Sequence, residues 1–226
     1  MKRKIGWLMT LGMACAGMVF AQSARVPSGE LLKRTPDYSA WTITVTYPGA
    51  PAPTAEAGGQ DFQQVQQVSV TKTKPLWHAV SRGKGGIISD RWGDARQTFA
   101  IMPKTALASI LTRGEGSGKF EVPDQLTVGY DKRDFPDMEW VSAGTYKGSI
   151  KGGKVLIFQE SGGQEATVYI DAESRLPIRW QKPGEVRDFR FLSAPDVPLV
   201  FPAQVTATLE TMKKIYDATD WPPKKK

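Results

Sequence analysis

Hydrophobic and polar residues alternate without interruption between Trp41 and Tyr47. Trp41, Ile43, Val45 and Tyr47 take every second position, and threonines take the three positions between them. Successive side chains of a strand point to opposite faces of a sheet, so this pattern predicts a strand with one buried face. It is the most regular strand pattern in the chain.

Nine further segments have the length and composition of strands, and turn residues separate most of them. The clearest turns are Gly83–Gly86, Gly152–Gly153, Gly162–Gly163 and Pro183–Gly184. Because the strands follow one another directly, we predict a mainly β (α+β) fold, with a single large curved antiparallel sheet or a half-open β-barrel. The nine segments are 62–73, 76–82, 87–92, 95–102, 145–150, 154–160, 165–171, 176–182 and 185–192.

Three segments are predicted to be helical, and two or three helices would cover the apolar face of such a sheet. Segment 28–34 begins at a capping residue, Ser28, and segment 104–111 follows Pro103, a residue favoured in the first turn. Segment 203–217 carries an apolar stripe at helical spacing. The stripe consists of Val205, Leu209, Met212 and Tyr216.

The N-terminal segment has the pattern of a secretory signal peptide. Three basic residues, Lys2, Arg3 and Lys4, precede an uncharged apolar run from residue 5 to residue 20, and Ala21 suits a cleavage site. The run is shorter than the roughly 20 residues that span a bilayer. We therefore predict export to the periplasm or the medium, with cleavage near Ala21.

The rest of the chain is predicted to form one domain. Residues 1–21 are the signal peptide, 22–220 a single β-rich domain, and 221–226 a disordered basic tail. Cys15 lies within the signal peptide, and a lipidation motif would require Leu three residues before it, where Gly12 stands. Lipidation of Cys15 is therefore not expected, and no disulfide can form within the mature chain.

The net charge of +7 first suggests a nucleic-acid-binding protein. Removal of the basic residues at positions 2–4 lowers it to +4, and setting aside the three lysines of the tail leaves +1. The predicted domain is therefore nearly neutral, and we expect no nucleic-acid partner. The basic tail allows at most a peripheral contact with a membrane.

No motif in the chain marks a catalytic centre, a metal site or a cofactor site. His78 is the only histidine and has no marked partner. Segment 113–119 is Gly-rich but lacks the spacing of a phosphate-binding loop. The four acidic residues of segment 131–139 could hold Ca²⁺ or could form ion pairs in a solvated loop. They are Asp131, Asp134, Asp137 and Glu139.

Several predicted strands carry apolar stripes without interspersed Lys or Arg. Such a stripe is either packed core or the lining of a cavity for an acyl chain, and the sequence leaves both interpretations open. The candidate lining residues share apolar strand faces in the predicted pattern. They are Trp41, Ile43, Val45, Phe99, Ile101, Ile178 and Trp180.

Residues 154–180 resemble a strand–turn–strand unit of the outer-membrane lipoprotein carrier (LolA-like) superfamily of periplasmic proteins. The similar core, Val168–Arg179, is an apolar strand ending in Asp171, a short turn, and Leu176-Pro177 at the start of the next strand. The resemblance implies an unclosed barrel with helices over its mouth that binds acyl chains without catalysis. It assigns no site residues.

Three functions follow as hypotheses. The first is a non-catalytic periplasmic or secreted protein that binds a lipid or a lipidated protein and uses no cofactor. The second is an envelope scaffold or accessory protein, with a packed core and a surface for an envelope protein partner. The third is a hydrolase with an acidic pair that no sequence motif marks.

Overall fold

The computed structural model describes residues 27–49, 64–94, 97–102, 107–113, 134–162 and 165–219. The predicted signal peptide, Cys15, residues 50–63 of the Pro-rich loop and the tail lie outside these ranges. No helix in the described ranges is both long enough and apolar enough to cross a membrane.

The described residues form one open antiparallel sheet of eleven strands, in which β1 is central. Two meanders flank β1, one formed by β2 to β6 and the other by β11 back to β7. The strands are β1 Tyr38–Thr46, β2 Gln67–Thr73, β3 Leu76–Gly83, β4 Gly86–Gly93, β5 Gln97–Ile101, β6 Ala108–Arg113, β7 Thr145–Ile150, β8 Val155–Gln159, β9 Thr167–Asp171, β10 Pro177–Lys182 and β11 Glu185–Leu192.

Strand β1 joins the two meanders. Ile43 lies opposite Val68 of β2 on one side and opposite Phe189 of β11 on the other. The hairpins within each meander are local in sequence, whereas the pairing of β1 with β11 brings together residues about 150 positions apart, such as Ala40 and Leu192. The prediction of a mainly β fold with one antiparallel sheet is confirmed.

Two of the predicted helices are wrong. Ala108–Arg113 forms β6, which pairs with β5, and Met102 donates its backbone N–H to the carbonyl of Leu107 in the connecting hairpin. A helix of eight residues is only marginally stable alone, so the pairing with β5 outweighs the local helical preference. Segment 28–34 is also not helical, because Lys33 donates its backbone N–H to the carbonyl of Arg175 instead.

The helix predicted at the end of the chain is present as α1, Ala203–Thr219. It packs against β5 and β6, where Val205 is fully buried and the Thr208 hydroxyl donates to the carbonyl of Ala108. The chain preceding it places Phe201 against Phe99 and Trp92. These contacts lie on the face of the sheet opposite Trp41, which we call the outer face.

The main core lies on the inner face, defined by Trp41, Ile43 and Val45. A 3₁₀ helix, Pro136–Ser142, which the sequence pattern did not predict, covers part of it. Its buried residues Met138 and Val141 pack on the second meander. The ring of Phe135, just before the helix, lies 6.1 Å from that of Trp41. The inner face is therefore filled by side chains of the protein itself.

The turn between β9 and β10 has the chemistry that the sequence predicts. Asp171 Oδ1 accepts hydrogen bonds from the backbone N–H groups of Glu173 and Ser174 and from the Ser174 hydroxyl. The backbone N–H of Ser174 contributes most to holding the pKa of the Asp171 carboxyl below its ordinary value. This turn also supplies the Arg175 carbonyl that anchors Lys33.

We expect Asp171→Ala to lower the free energy of unfolding by about 1 kcal/mol, the usual effect of removing a capping acceptor. Asp171→Asn keeps an acceptor oxygen and should lower the free energy of unfolding less than Asp171→Ala does. Because folding lowers the pKa of Asp171, its contribution is present above about pH 4 and declines as the pH falls further. Urea denaturation at pH 7 and pH 3 measures this, and a difference between wild type and D171A that grows on acidification would contradict it.

Candidate functional site

An open cleft of about 680 Å³ lies where β1 begins and the β2–β3 hairpin turns. Its size is typical of small-molecule sites. Segment 32–37, the β2–β3 hairpin, the end of β4 and the residues leading into the 3₁₀ helix all contribute walls. The lining residues are Leu32, Lys33, Arg34, Thr35, Asp37, Lys72, Lys74, Pro75, Leu76, Trp77, Asp94, Asp134, Phe135 and Glu139.

The apolar wall of the cleft is built around Trp77. This side chain is buried, and its indole lies directly on Gly93 of β4, where a Cβ atom would come within 2.4 Å of the ring. Glycine at position 93 thus allows the indole to lie flat against the sheet. Leu32, Leu76 and Phe135 extend the apolar surface on either side.

A buried ion pair forms the base of the cleft. Lys72 Nζ lies 3.1 Å from Asp134 Oδ1, and the side chains of Lys72 and Asp134 are only 18% and 5% exposed. Asp134 Oδ2 also accepts hydrogen bonds from the backbone N–H and the hydroxyl of Thr35, at 2.6 and 2.8 Å. This network fixes segment 32–37 and the start of the 3₁₀ helix to β2.

The rim of the cleft carries charges of both signs. Lys74 pairs with Asp37 at 3.3 Å, and both side chains are largely exposed. Asp94 accepts a hydrogen bond from the backbone N–H of Gln97. Lys33 and Arg34 are exposed next to Leu32. The cleft therefore joins an apolar wall to a polar, ionic rim.

The seven predicted lining residues do not form this cleft. Trp41, Ile43, Val45 and Trp180 are buried in the core of the inner face. Gly93 of β4 lies opposite Trp77, so Gly93 is on the inner face and its neighbour Trp92 is on the outer face. Phe99 pairs with Trp92, and Ile101 pairs with Asp90, so both lie on the outer face. The predicted lining residues are therefore distributed over both faces of the sheet.

Contrary to the prediction from the strand pattern, Ile178 does not share the buried face of Trp180, because a β-bulge lies in β10. The pairing of β10 with β9 shifts register between Pro177 and Arg179, which places one extra residue in β10. Ile178 is consequently 37% exposed, whereas Trp180, two positions later, is 3% exposed. An uninterrupted strand would have placed both side chains on one face.

The residues of the cleft carried one sequence signal that could have been recognised. Lys72 continues the alternation of Val68 and Val70, so it falls on the buried face of β2 and requires an anionic partner. Asp134, its partner, is 62 positions away along the chain. No local pattern links the two residues.

A second charged cluster interrupts the inner face beside Trp180. The guanidinium of Arg187 lies 4.4 Å from the Trp180 ring centroid and pairs with Glu185 and with Asp137 of the 3₁₀ helix. Burial raises the pKa of the nearby Tyr47 phenol, and the Glu185 carboxylate raises it further. A wholly apolar inner face, as a buried acyl-chain cavity would require, is therefore not present here.

His78 has an acidic partner that the sequence did not reveal. Its Nε2 lies 2.9 Å from Asp90 Oδ1, and its ring stacks on Trp92 with centroids 4.0 Å apart. Both contacts lie on the outer face. In the described part of the chain, the structure gives His78 no hydroxyl or thiol partner.

The acidic segment 131–139 forms ion pairs rather than a cation site wherever it is described. Asp134 pairs with Lys72, and Asp137 pairs with Arg187. Asp131 lies outside the described residues. In the ranges that the structure covers, no three His, Cys, Asp or Glu side chains cluster as metal ligands would.

Comparison with known proteins adds no assignment to this geometry. No protein-family model matches the chain, and no curated protein matches it.

Proposed function

We propose that this protein is a non-catalytic binding protein of the periplasm or the exterior, and that it holds the apolar chain of a lipid or a lipidated protein. The observation that carries the proposal is the cleft of about 680 Å³ with Trp77, Leu32, Leu76 and Phe135 on its apolar wall. The predicted signal peptide supports the location.

The packing of the core is the reason that we propose the cleft, rather than the centre of the sheet, as the binding place. The inner face under Trp41 is occupied by Phe135, Phe189 and Phe191. A chain lying there would have to displace these rings, whereas the cleft is already open. Each CH₂ group that leaves water contributes about 0.8 kcal/mol, so micromolar affinity, about 8 kcal/mol, requires roughly ten buried CH₂ groups before the cost of association is counted.

The open eleven-stranded sheet is compatible with the resemblance of residues 154–180 to the lipoprotein carrier superfamily. We extend the proposal to an unclosed barrel whose inner face is partly covered by the 3₁₀ helix. The 3₁₀ helix packs on the inner face and α1 on the outer face. The cover thus differs from the one expected from segment 104–111, whose residues from Ala108 onward belong to β6.

The proposal is tested with Leu32→Gln and Leu76→Gln, which place amides on the apolar wall. We expect the double variant to bind a neutral apolar fluorophore at least about tenfold more weakly, because two partly buried leucines each contribute about 1 kcal/mol of contact. Native mass spectrometry of the wild type should show a co-purified lipid, which the variant should lose.

Ile178→Gln is the matched control, since Ile178 is a partly exposed apolar residue outside the cleft. It should bind like the wild type. Thermal denaturation verifies that all three proteins are folded at the assay temperature. Equal binding by wild type and by L32Q/L76Q, or equal losses in I178Q, would rule out the cleft as the chain-binding site.

A second candidate function is an envelope accessory protein with an interaction surface. It is favoured by the filled inner face and by two apolar side chains in the segment before α1. Val197 and Val200 are 74% and 77% exposed. The same native mass spectrometry experiment decides between the candidates, because this second function predicts a wild-type protein without bound lipid.

A further inference from the structure

We infer that the ligand of the cleft is an anionic amphiphile, whose carboxylate or phosphate is bound by Lys33 and Arg34 while its chain lies on the Trp77 wall. This inference rests on the proposed function and names the chemical class of its ligand. The inference depends on a comparison of the charged side chains around the cleft. Some already have a charged or hydrogen-bonding partner, and others do not.

The acidic groups of the cleft already have partners. Asp134 is bonded to Lys72 and Thr35, and Asp37 is paired with Lys74. Asp94 accepts from the backbone of Gln97, and Glu139 also has an interaction partner. Asp134 and Asp37 are therefore neutralised by lysines, whereas Asp94 keeps its charge beside a neutral N–H donor.

The remaining cations are different. Lys72 and Lys74 are neutralised by their carboxylates, whereas the structure gives the side chains of Lys33 and Arg34 no hydrogen bond or ion pair among the residues it describes. Both residues belong to the lining of the cleft, and both are exposed. The rim thus presents two neighbouring cations whose donors remain available, and such a pair suits a carboxylate or a phosphate.

The backbone around these cations is held in place before any ligand binds. Lys33 donates its N–H to the Arg175 carbonyl at 3.0 Å, and Thr35 donates its N–H to the buried Asp134. Leu32, directly before Lys33, is half-buried against the second core cluster and faces the cleft. The apolar and cationic parts of the cleft are therefore adjacent on one anchored segment, which matches the head-to-tail order of an amphiphile.

The test measures binding of four probes to the full mature chain by isothermal titration calorimetry, with the two anionic lipids kept below their micelle concentrations. The probes are oleate, oleoyl lysophosphatidate, methyl oleate and inorganic phosphate. Oleate and lysophosphatidate should bind about tenfold more tightly than methyl oleate, and phosphate alone should bind far more weakly. Added salt should reduce the advantage of the anions, because the two cations are exposed.

Lys33→Gln together with Arg34→Gln should remove that tenfold advantage, so that the variant binds oleate and methyl oleate equally. The matched control is K84Q/R190Q, which removes a lysine and an arginine that are exposed outside the cleft. It should retain the preference for anions. Glutamine is shorter than lysine and arginine but polar, and both positions are exposed, so a general loss of folding is not expected.

The outcomes separate this inference from the proposed function. Equal affinity of the wild type for oleate and methyl oleate overturns the anionic head group but leaves chain binding in place. Inorganic phosphate that binds as tightly as lysophosphatidate overturns the amphiphile in favour of a simple anion site. No binding of any probe overturns the inference and the proposed function together.

Discussion

Asp134→Ala should lower the free energy of unfolding by about 3 kcal/mol, the lower end of the range for removal of one partner from a buried ion pair. The substitution leaves the ammonium of Lys72 and the hydroxyl and N–H of Thr35 without their common acceptor. The partial exposure of Lys72 allows some rehydration, which is why we expect the lower end. Urea denaturation followed by tryptophan fluorescence measures the change.

A double-mutant cycle with Lys72→Met makes this expectation specific to the pair. The double variant K72M/D134A should be destabilised by at least 1 kcal/mol less than the sum of the two single variants, because no buried charge then lacks a partner. Asp37→Ala is the matched control, since the Lys74–Asp37 pair is exposed and should contribute less than about 1 kcal/mol. Additive losses in the cycle would contradict a coupled buried pair.

The second large effect is expected for Gly93→Ala, which should lower the free energy of unfolding by about 2 kcal/mol. The added methyl group would lie 2.4 Å from the Trp77 indole, so either the ring or β4 must shift. Because Trp77 forms the apolar wall of the cleft, the variant should also bind the neutral fluorophore more weakly. Denaturation curves and the tryptophan emission maximum report the two changes.

Trp77→Phe provides the control for this clash. The smaller ring lacks the part of the indole that contacts the new methyl group. In the W77F background, G93A should therefore lower the free energy of unfolding by less than about 1 kcal/mol. If G93A is equally costly in both backgrounds, its effect arises from the backbone of β4 and not from contact with Trp77.

The two networks explain how the cleft keeps its shape. The buried pair of Lys72 and Asp134 fixes segment 32–37 and the start of the 3₁₀ helix to β2, and the Trp77–Gly93 contact fixes the opposite wall to β4. Arg187 provides a further link from β11 to Asp137 of the 3₁₀ helix. The walls of a binding cleft that are held in this way lose little conformational freedom when a ligand binds.

Much of the strand pattern could be predicted because it depends on neighbouring residues. Strands β7 and β11 begin and end where alternation and turn residues placed them, and the Asp171–Ser174 turn forms from side chains that bond their own backbone. Helix α1 could also be predicted, because the apolar residues of its segment recur at helical spacing. The cleft was not predicted, because its walls come from segments that are distant in sequence.

The sequence by itself determined that the chain forms a mainly β protein of consecutive antiparallel strands, since strand periodicity and turn chemistry are local properties. Only the tertiary structure decided which face of each strand became core. Strand pairing placed residues 108–111 of the predicted helix 104–111 in β6 and set Phe99 opposite Trp92 on the outer face, and a single bulge exposed Ile178. The position of the cleft was likewise decided by an ion pair between Lys72 and Asp134, because a charge on a buried strand face is stable only where the fold brings its partner.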